Sequence, residues 1–226
     1  MYRHFFKRIF DIVSSGLALL FLSPILVYVA YLVKKRLGTP VLFTQIRPGK
    51  DGKLFKMYKF RSMTDERDAN GKLLPDDVRL TEFGKKLRAT SLDELPELIN
   101  IFKGDMSVVG PRPQLVRDMV FFTDEEMKRQ SVYPGLTGLA QICGRNNITW
   151  KEKFDYDLKY IQNISFLEDL RIIYRTIFKV SAQEDIATDG METAEDYGDW
   201  LLRTGQIDSL TYERKQKEAT KLLEDI

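Results

Sequence analysis

The sequence predicts an α+β fold: an N-terminal re-entrant membrane helix hairpin over residues 1–36, a small mixed α/β cytoplasmic domain with membrane-surface amphipathic helices over 37–180, and an acidic helical tail over 181–226. Three observations carry this expectation. One is a long uncharged run interrupted by a proline. Another is a pair of short apolar segments around a glycine-rich turn. The last is a set of helix-periodic stretches bounded by caps and stops.

Residues 12–33 carry no charge. At about 1.5 Å per residue they are long enough to cross a hydrocarbon core of about 30 Å. Ser23-Pro24 divides the run, and a proline there removes one helical hydrogen bond, so a kink is expected; the Ser23 hydroxyl is placed to take up a carbonyl that Pro24 frees. Neither arm crosses the core alone. Arg3, Lys7 and Arg8 precede the run, and Lys34, Lys35 and Arg36 follow it. Basic flanks favour the cytoplasmic side, here at both ends. A hairpin re-entering at Ser23 and Pro24 satisfies both features. An ordinary spanning anchor and a buried soluble hairpin are the other readings. The run is too long for a secretory signal, and no small-residue cleavage site precedes the basic triplet. Asp11, just inside the run, needs a partner, with Arg8 or a loop cation expected.

Composition limits the chemistry. A single cysteine, Cys143, and a single histidine, His4, leave no disulfide framework, no Cys/His zinc site and no Cys-His or Ser-His catalytic pair. What remains is carboxylates, Lys, Arg, backbone amides or an oxygen-liganded cation such as Mg²⁺. Residues 181–226 hold 12 Asp/Glu against 5 Lys/Arg, a balance of −7, which leaves +9 on residues 1–180. A basic body beside a membrane segment suits anionic headgroups and phosphate-bearing substrates. The basic residues are dispersed and no nucleic-acid motif accompanies them, so no nucleic-acid partner is expected.

Along the chain, PVLFTQIRPGKDGKLFKMYKFRSM reads as two short strands joined by a turn over residues 48–53. Residues 79–88 read as a short basic helix. TSLDELPELINIFKGD carries helix signals: Ser91 or Asp93 as N-cap, Leu95, Leu98, Ile99 and Phe102 on one face, and Gly104 as the stop. MSVVGPRPQLV is a rigid loop between a short strand and a helix, and residues 133–147 read as loop or short strand. Residues 149–180 return to helical spacing, with Phe166, Leu170, Ile173, Tyr174 and Ile177 in one stripe that packs on the core or lies on a membrane surface.

Asp93 and Glu94 are adjacent acids at a predicted helix start, and local pattern leaves two readings. Ser91-x-x-Glu94 matches a capping box, and acids there are favoured by the helix dipole. A helix N-terminus is also an anion site, where one acid could attack phosphorus while its neighbour holds a metal. Cations for such a site exist: Arg112 fixed between two prolines, Arg145 in a glycine-containing loop, and Lys59 with Arg61 on one strand face. Singly, each suits a solvated surface role.

Taken in order, FKRIFD, the Ser-Pro break, FTQIRPG, YKFRSM, SLDELPELINIFKGDMSVVGPRP, PGLTGLAQICGRN and FDYDLKYIQNISFLEDL resemble the bacterial sugar transferase family. The similarity is specifically to its small monotopic phosphoglycosyl transferases of the PglC type, over about residues 1–180. The resemblance implies transfer of a sugar 1-phosphate from a UDP-sugar to a polyprenyl phosphate such as undecaprenyl phosphate. By that likeness Asp93 is the nucleophile, Glu94 shares Mg²⁺ with it, Arg112 contacts the nucleotide, and Lys59, Arg88 and Arg145 are phosphate or scaffold cations. It also implies a protein that enters one leaflet of the bacterial inner membrane, with its catalytic domain on the cytoplasmic face. A non-catalytic scaffold of the same fold is the alternative. The tail has no counterpart in the resemblance. Packing, self-association into a homo-oligomer, or docking of downstream glycosyltransferases are the roles open to it.

Overall fold

The computed structural model describes residues 2–144, 148–182 and 195–224. A 3-10 turn, Tyr2–His4, leads into α1 (Phe6–Leu37), followed by β1 (Leu42–Pro48), β2 (Leu54–Phe60), α2 (Asp76–Arg79), α3 (Glu82–Ala89), α4 (Glu97–Lys103) and β3 (Ser107–Val109). Then come α5 (Val116–Met119), α6 (Asp124–Met127), β4 (Gly135–Thr137), α7 (Leu139–Cys143), α8 (Trp150–Gln162), α9 (Phe166–Ala182), α10 (Tyr197–Arg203) and α11 (Ser209–Glu224). β1 and β2 form an antiparallel hairpin with Leu42 opposite Phe60, and β3 pairs in parallel with β4. The expected turn over residues 48–53 is observed, closed by the Gly49 amide on the Lys53 carbonyl at 2.8 Å.

The uncharged run lies within one helix whose hydrogen-bonded turns continue through Pro24. The Ser23 hydroxyl donates to the Leu20 carbonyl at 2.8 Å. That carbonyl, four residues before Pro24, is the acceptor the proline leaves without its amide. One stripe of α1 packs on the domain along the whole helix. Ala18, Leu19 and Leu22 lie against Met57, Leu98, Ile101 and Met106, while Val29 and Val33 lie against Phe60 and Leu87. The opposite side exposes Val13, Leu17, Leu20, Phe21, Tyr28 and Tyr31. The helix is long and apolar enough to cross a membrane by length and composition. Asp11 is fully buried, and its Oδ1 accepts the Val108 amide of β3 at 2.9 Å; among the described ion pairs neither Arg8 nor a loop cation bonds to it. Arg8 instead donates to the Ile101 and Met106 carbonyls, at 2.7 and 2.8 Å, the first of them in the last turn of α4.

The helical spacing of residues 149–180 resolves into two helices, α8 and α9. In the α9 stripe only Ile173 packs on the core, whereas Phe166, Leu170, Tyr174 and Ile177 are exposed. Phe166 meets the rings of Tyr2 and Phe10 edge-on at 5.8 and 5.9 Å, so the outward faces of α1 and α9 form one apolar surface. Among its described residues the tail is helical as expected, forming α10 and α11. Both pack into the body: Tyr197 and Leu201 with Trp150 and Phe154, and Ala219 with Val116 and Val120.

Candidate active site

Asp93 and Glu94 lie in a 3-10 turn, Leu92–Glu94, ahead of α4. The capping box is not formed. Ser91 is left-handed at φ 53° and its side chain makes no cap hydrogen bond. Pro96, with helical angles, opens α4, where a missing amide hydrogen costs nothing. Gly104 ends the helix as expected, at φ 108°, its amide on the Asn100 and Ile101 carbonyls.

The orientation of α4 against the hairpin is fixed by Asn100. It is fully buried, accepts the Tyr58 amide at 3.0 Å and donates to the Lys56 carbonyl at 2.7 Å, satisfying the open edge of β2. Lys59 shares a strand face with Met57, which packs on α4, so its ammonium reaches the acids. Lys59 Nζ donates to Glu94 Oε1 at 2.8 Å and lies 3.2 Å from Glu97 Oε1. Arg112 Nη2 donates to the same Glu94 oxygen at 2.5 Å.

Arg112 arrives from the other sheet. Glycines let β3 and β4 meet closely: a Cβ on Gly135 would stand 2.1 Å from the Gly110 nitrogen. The loop over residues 110–113 then leaves β3 toward Glu94. Arg61, expected on the strand face with Lys59, lies just past the end of β2 and turns away, to Asp65 at 2.6 Å and the Thr39 carbonyl at 3.2 Å. Arg88 donates to Ser62 Oγ at 3.0 Å and contributes a favourable charge at Asp93. Arg145 lies outside the described residues.

The adjacent acids titrate in opposite directions. Burial, reinforced by Glu94, pushes Asp93 up to about 6, against the pull of Lys59, Arg88 and Arg112. Burial also pushes on Glu94, but Arg112 and Lys59 outweigh it and hold that carboxyl well below the usual range. Among the described residues no hydrogen bond reaches the Asp93 carboxylate, which is 8% exposed. An ionised carboxylate with raised basicity, desolvated and beside cations that would receive phosphate oxygens, is equipped for attack on phosphorus.

Glu97 belongs to the same cluster and was not singled out by the sequence. It is 1% exposed, its Oε1 has the Lys59 ammonium nearby but no hydrogen bond among the described residues, and burial pushes it up to about 7. Its spacing from Asp93, four residues, was the available signal, but a glutamate in a helix first turn reads equally as dipole compensation. Among the described residues no group of three or more acids, histidines or cysteines forms a metal cage. Mg²⁺ ordinarily takes one or two carboxylates together with substrate phosphates, and Asp93 with Glu94 fits that smaller donor set.

The geometry can be set against known proteins. A family model described as bacterial sugar transferase matches residues 2–183. The chain is 48% identical over 189 residues to the "Uncharacterized sugar transferase EpsL" of Bacillus subtilis, covering 84% of this chain and 94% of that protein. It is 45% identical over 184 residues to the "UDP-glucose:undecaprenyl-phosphate glucose-1-phosphate transferase" of Klebsiella pneumoniae, covering 77% of this chain and 40% of that one. It is 39% identical over 189 residues to the "Undecaprenyl-phosphate galactose phosphotransferase" of Salmonella typhimurium, covering 76% and again 40%. The chain thus spans well under half the length of these two named enzymes. With its match running from the first helix through α9, the chain belongs to the bacterial sugar transferase family.

Proposed function

We propose that this protein transfers a sugar 1-phosphate from a UDP-sugar to a polyprenyl phosphate, the undecaprenyl lipid of its named relatives, releasing UMP and starting assembly of a lipid-linked glycan. The observation that carries this reading is the division of labour in the dyad: Lys59 and Arg112 both bond to Glu94 Oε1, while Asp93 beside it is buried and receives no hydrogen bond from a described residue.

In the first step an Asp93 carboxylate oxygen attacks the β-phosphorus. The new O–P bond forms as the bond from that phosphorus to the bridging oxygen breaks, and UMP departs with the electron pair. In the second step an oxygen of the lipid phosphate attacks the same phosphorus, and the acyl-phosphate bond breaks to restore the carboxylate. Neither step needs a proton donor, which accords with a site lacking histidine and cysteine. Arg112 and Lys59, fixed by Glu94, hold the diphosphate oxygens and oppose their charge. Asp93 and Glu94 are the residues that would hold Mg²⁺, which supplies further charge neutralisation at the phosphates when bound.

Helix α1 is read as lying in one leaflet of the bacterial inner membrane, re-entrant at Ser23 and Pro24, with the domain on the cytoplasmic face. Support comes from its two halves, which hold the same domain: Arg8 on the carbonyls of Ile101 and Met106, and Val29 and Val33 on Phe60 and Leu87. The exposed apolar surface shared with α9 suits headgroups and acyl chains on one side. Both substrates are anions, so a basic site at the headgroup plane serves the soluble and the lipid-borne one without either crossing.

The test is UMP release from a panel of UDP-sugars with Mg²⁺ and undecaprenyl phosphate in detergent. Release with one donor, dependent on the lipid for continued turnover, is expected and names the sugar. Silence from folded protein across the panel contradicts the reading and favours a non-catalytic scaffold.

A further inference from the structure

Beyond Gly110, whose amide donates to the Thr137 carbonyl at 2.8 Å, the loop that presents Arg112 is held from its acceptor side. Pro111 and Pro113 have no amide hydrogen to give, so the carbonyls set the loop's place. The Pro111 carbonyl accepts the Gly135 amide at 2.9 Å, and the Pro113 carbonyl accepts Arg47 Nη1 at 3.2 Å. The carbonyl of Arg112 itself accepts Arg129 Nη2 at 2.7 Å.

Arg129 is enclosed. It is 3% exposed, and its Nε and Nη2 donate to Asp157 Oδ2 at 3.1 and 2.7 Å. Its guanidinium carbon lies 5.5 Å from the ring centre of Phe122 and 5.8 Å from that of Phe154. Helix α10 supplies the next layer, with the Tyr197 ring 5.8 Å from Phe122 and 5.2 Å from Phe154. Tyr197 is anchored in turn by its amide on Asp118 Oδ1 and its hydroxyl on Glu126 Oε1, both at 2.8 Å.

A buried ion pair gives little net stability over apolar groups of the same volume, so stability alone does not account for a guanidinium here. Its geometry does. One planar fork serves Asp157 and the Arg112 carbonyl together, two directions that a single ammonium could not hold in fixed relation. We propose that Arg129, oriented by Asp157, is a positioning residue for Arg112, and that α10, beyond the family match, serves the active site by closing the aromatic cage around it. The tail thereby acquires a role in the reaction without touching substrate. This inference rests on the reading of Arg112 as a contact for the donor's diphosphate.

The experiment is a double-variant cycle on the affinity of the full chain for UDP-glucose and UMP in detergent. Arg129→Lys is expected to weaken binding about tenfold, the worth of one charge-assisted hydrogen bond. In an Arg112→Ala background the same change is expected to cost less than about twofold, because no guanidinium is left to position. Equal losses in both backgrounds indicate a merely structural role and overturn the proposal, as does wild-type affinity in folded Arg129→Lys. Wild-type affinity in Arg112→Ala overturns the reading of Arg112 instead. Should Arg129→Lys fail to fold, Tyr197→Leu opens the α10 wall of the cage and leaves the ion pair. Its loss is expected only where Arg112 is present, and an equal loss in both backgrounds overturns the proposal.

Discussion

Asp169, beneath the N-terminus of α1, is fully buried and accepts hydrogen bonds from Tyr2, Lys7 and Tyr160 at 2.6, 2.6 and 2.7 Å. Asp93 is nearly as buried and sits among cations as well, yet no hydrogen bond from a described residue reaches it. In the first region both carboxylate oxygens are hydrogen-bonded, which is what burying a carboxylate ordinarily requires. In the second Lys59 and Arg112 bond to Glu94, and Asp93 feels the nearby cations only through their charge. Burial and nearby charge are common to both regions; unfilled acceptor capacity is what separates the acid proposed as nucleophile from the structural one.

The largest effect that could break this comparison is a pair of isosteric substitutions. Asp93→Asn is expected to lower turnover about a thousandfold or more while leaving the melting temperature unchanged or higher, since it removes a desolvated charge. A capping acid would behave differently, with about 1 kcal/mol of lost stability and retained turnover. Asp169→Asn is expected to do the reverse. It leaves Lys7 buried without its anion, so stability falls by about 3 kcal/mol while turnover per folded molecule stays near wild type. Denaturant titration beside turnover separates the two, and an exchange of these outcomes would sink the distinction.

A finer test uses Asp118, which is 2% exposed, accepts the amides of Tyr197 and Leu115, and has no cation in direct contact among the described ion pairs. Burial pushes it up to about 6 from an ordinary 3.8. Its folded value lies above its unfolded value, so the folded protein binds the proton more tightly. Its contribution is then fully favourable below about pH 4 and declines as pH rises to about 6. Asp118→Asn keeps an acceptor for Tyr197 and removes this slope. Its stability relative to wild type is expected to climb by on the order of 2 kcal/mol between pH 4 and 6 and then level off. A flat difference across that range contradicts the assignment. Asp118 also sharpens the comparison: a raised titration alone does not mark a reactive acid, because here amides fill the carboxylate.

Much of this arrangement was legible where the signal is local. The turn over residues 48–53, the Gly104 stop and the pairing of Ser23 with the carbonyl freed by Pro24 each depend on residues within a few positions of one another. The dyad was locatable, but local pattern offered Ser91 as its cap, and the tertiary pull of Lys59 and Arg112 on Glu94 prevailed over that box. Asp11 was expected to seek a cation because charge is what a sequence displays, whereas the amide of Val108 is invisible until β3 is placed beside α1. Glu97 and Arg129 carry no motif at all. Their roles come from burial and from partners up to 38 residues away in sequence, such as Lys59 for Glu97. Helix α7, within a glycine-rich stretch read as loop or strand, forms because Ala140 and Ile142 find buried places in the core.

The central claim is that Asp93 carries the sugar phosphate between donor and lipid, and intact mass spectrometry tests it most directly. The wild-type protein, given Mg²⁺ and the UDP-sugar that supports UMP release but no lipid acceptor, is expected to gain the mass of one sugar phosphate, located on Asp93 by peptide mapping and lost when polyprenyl phosphate is added. UMP release from wild type with no adduct, or an adduct that persists in Asp93→Asn, would contradict the account.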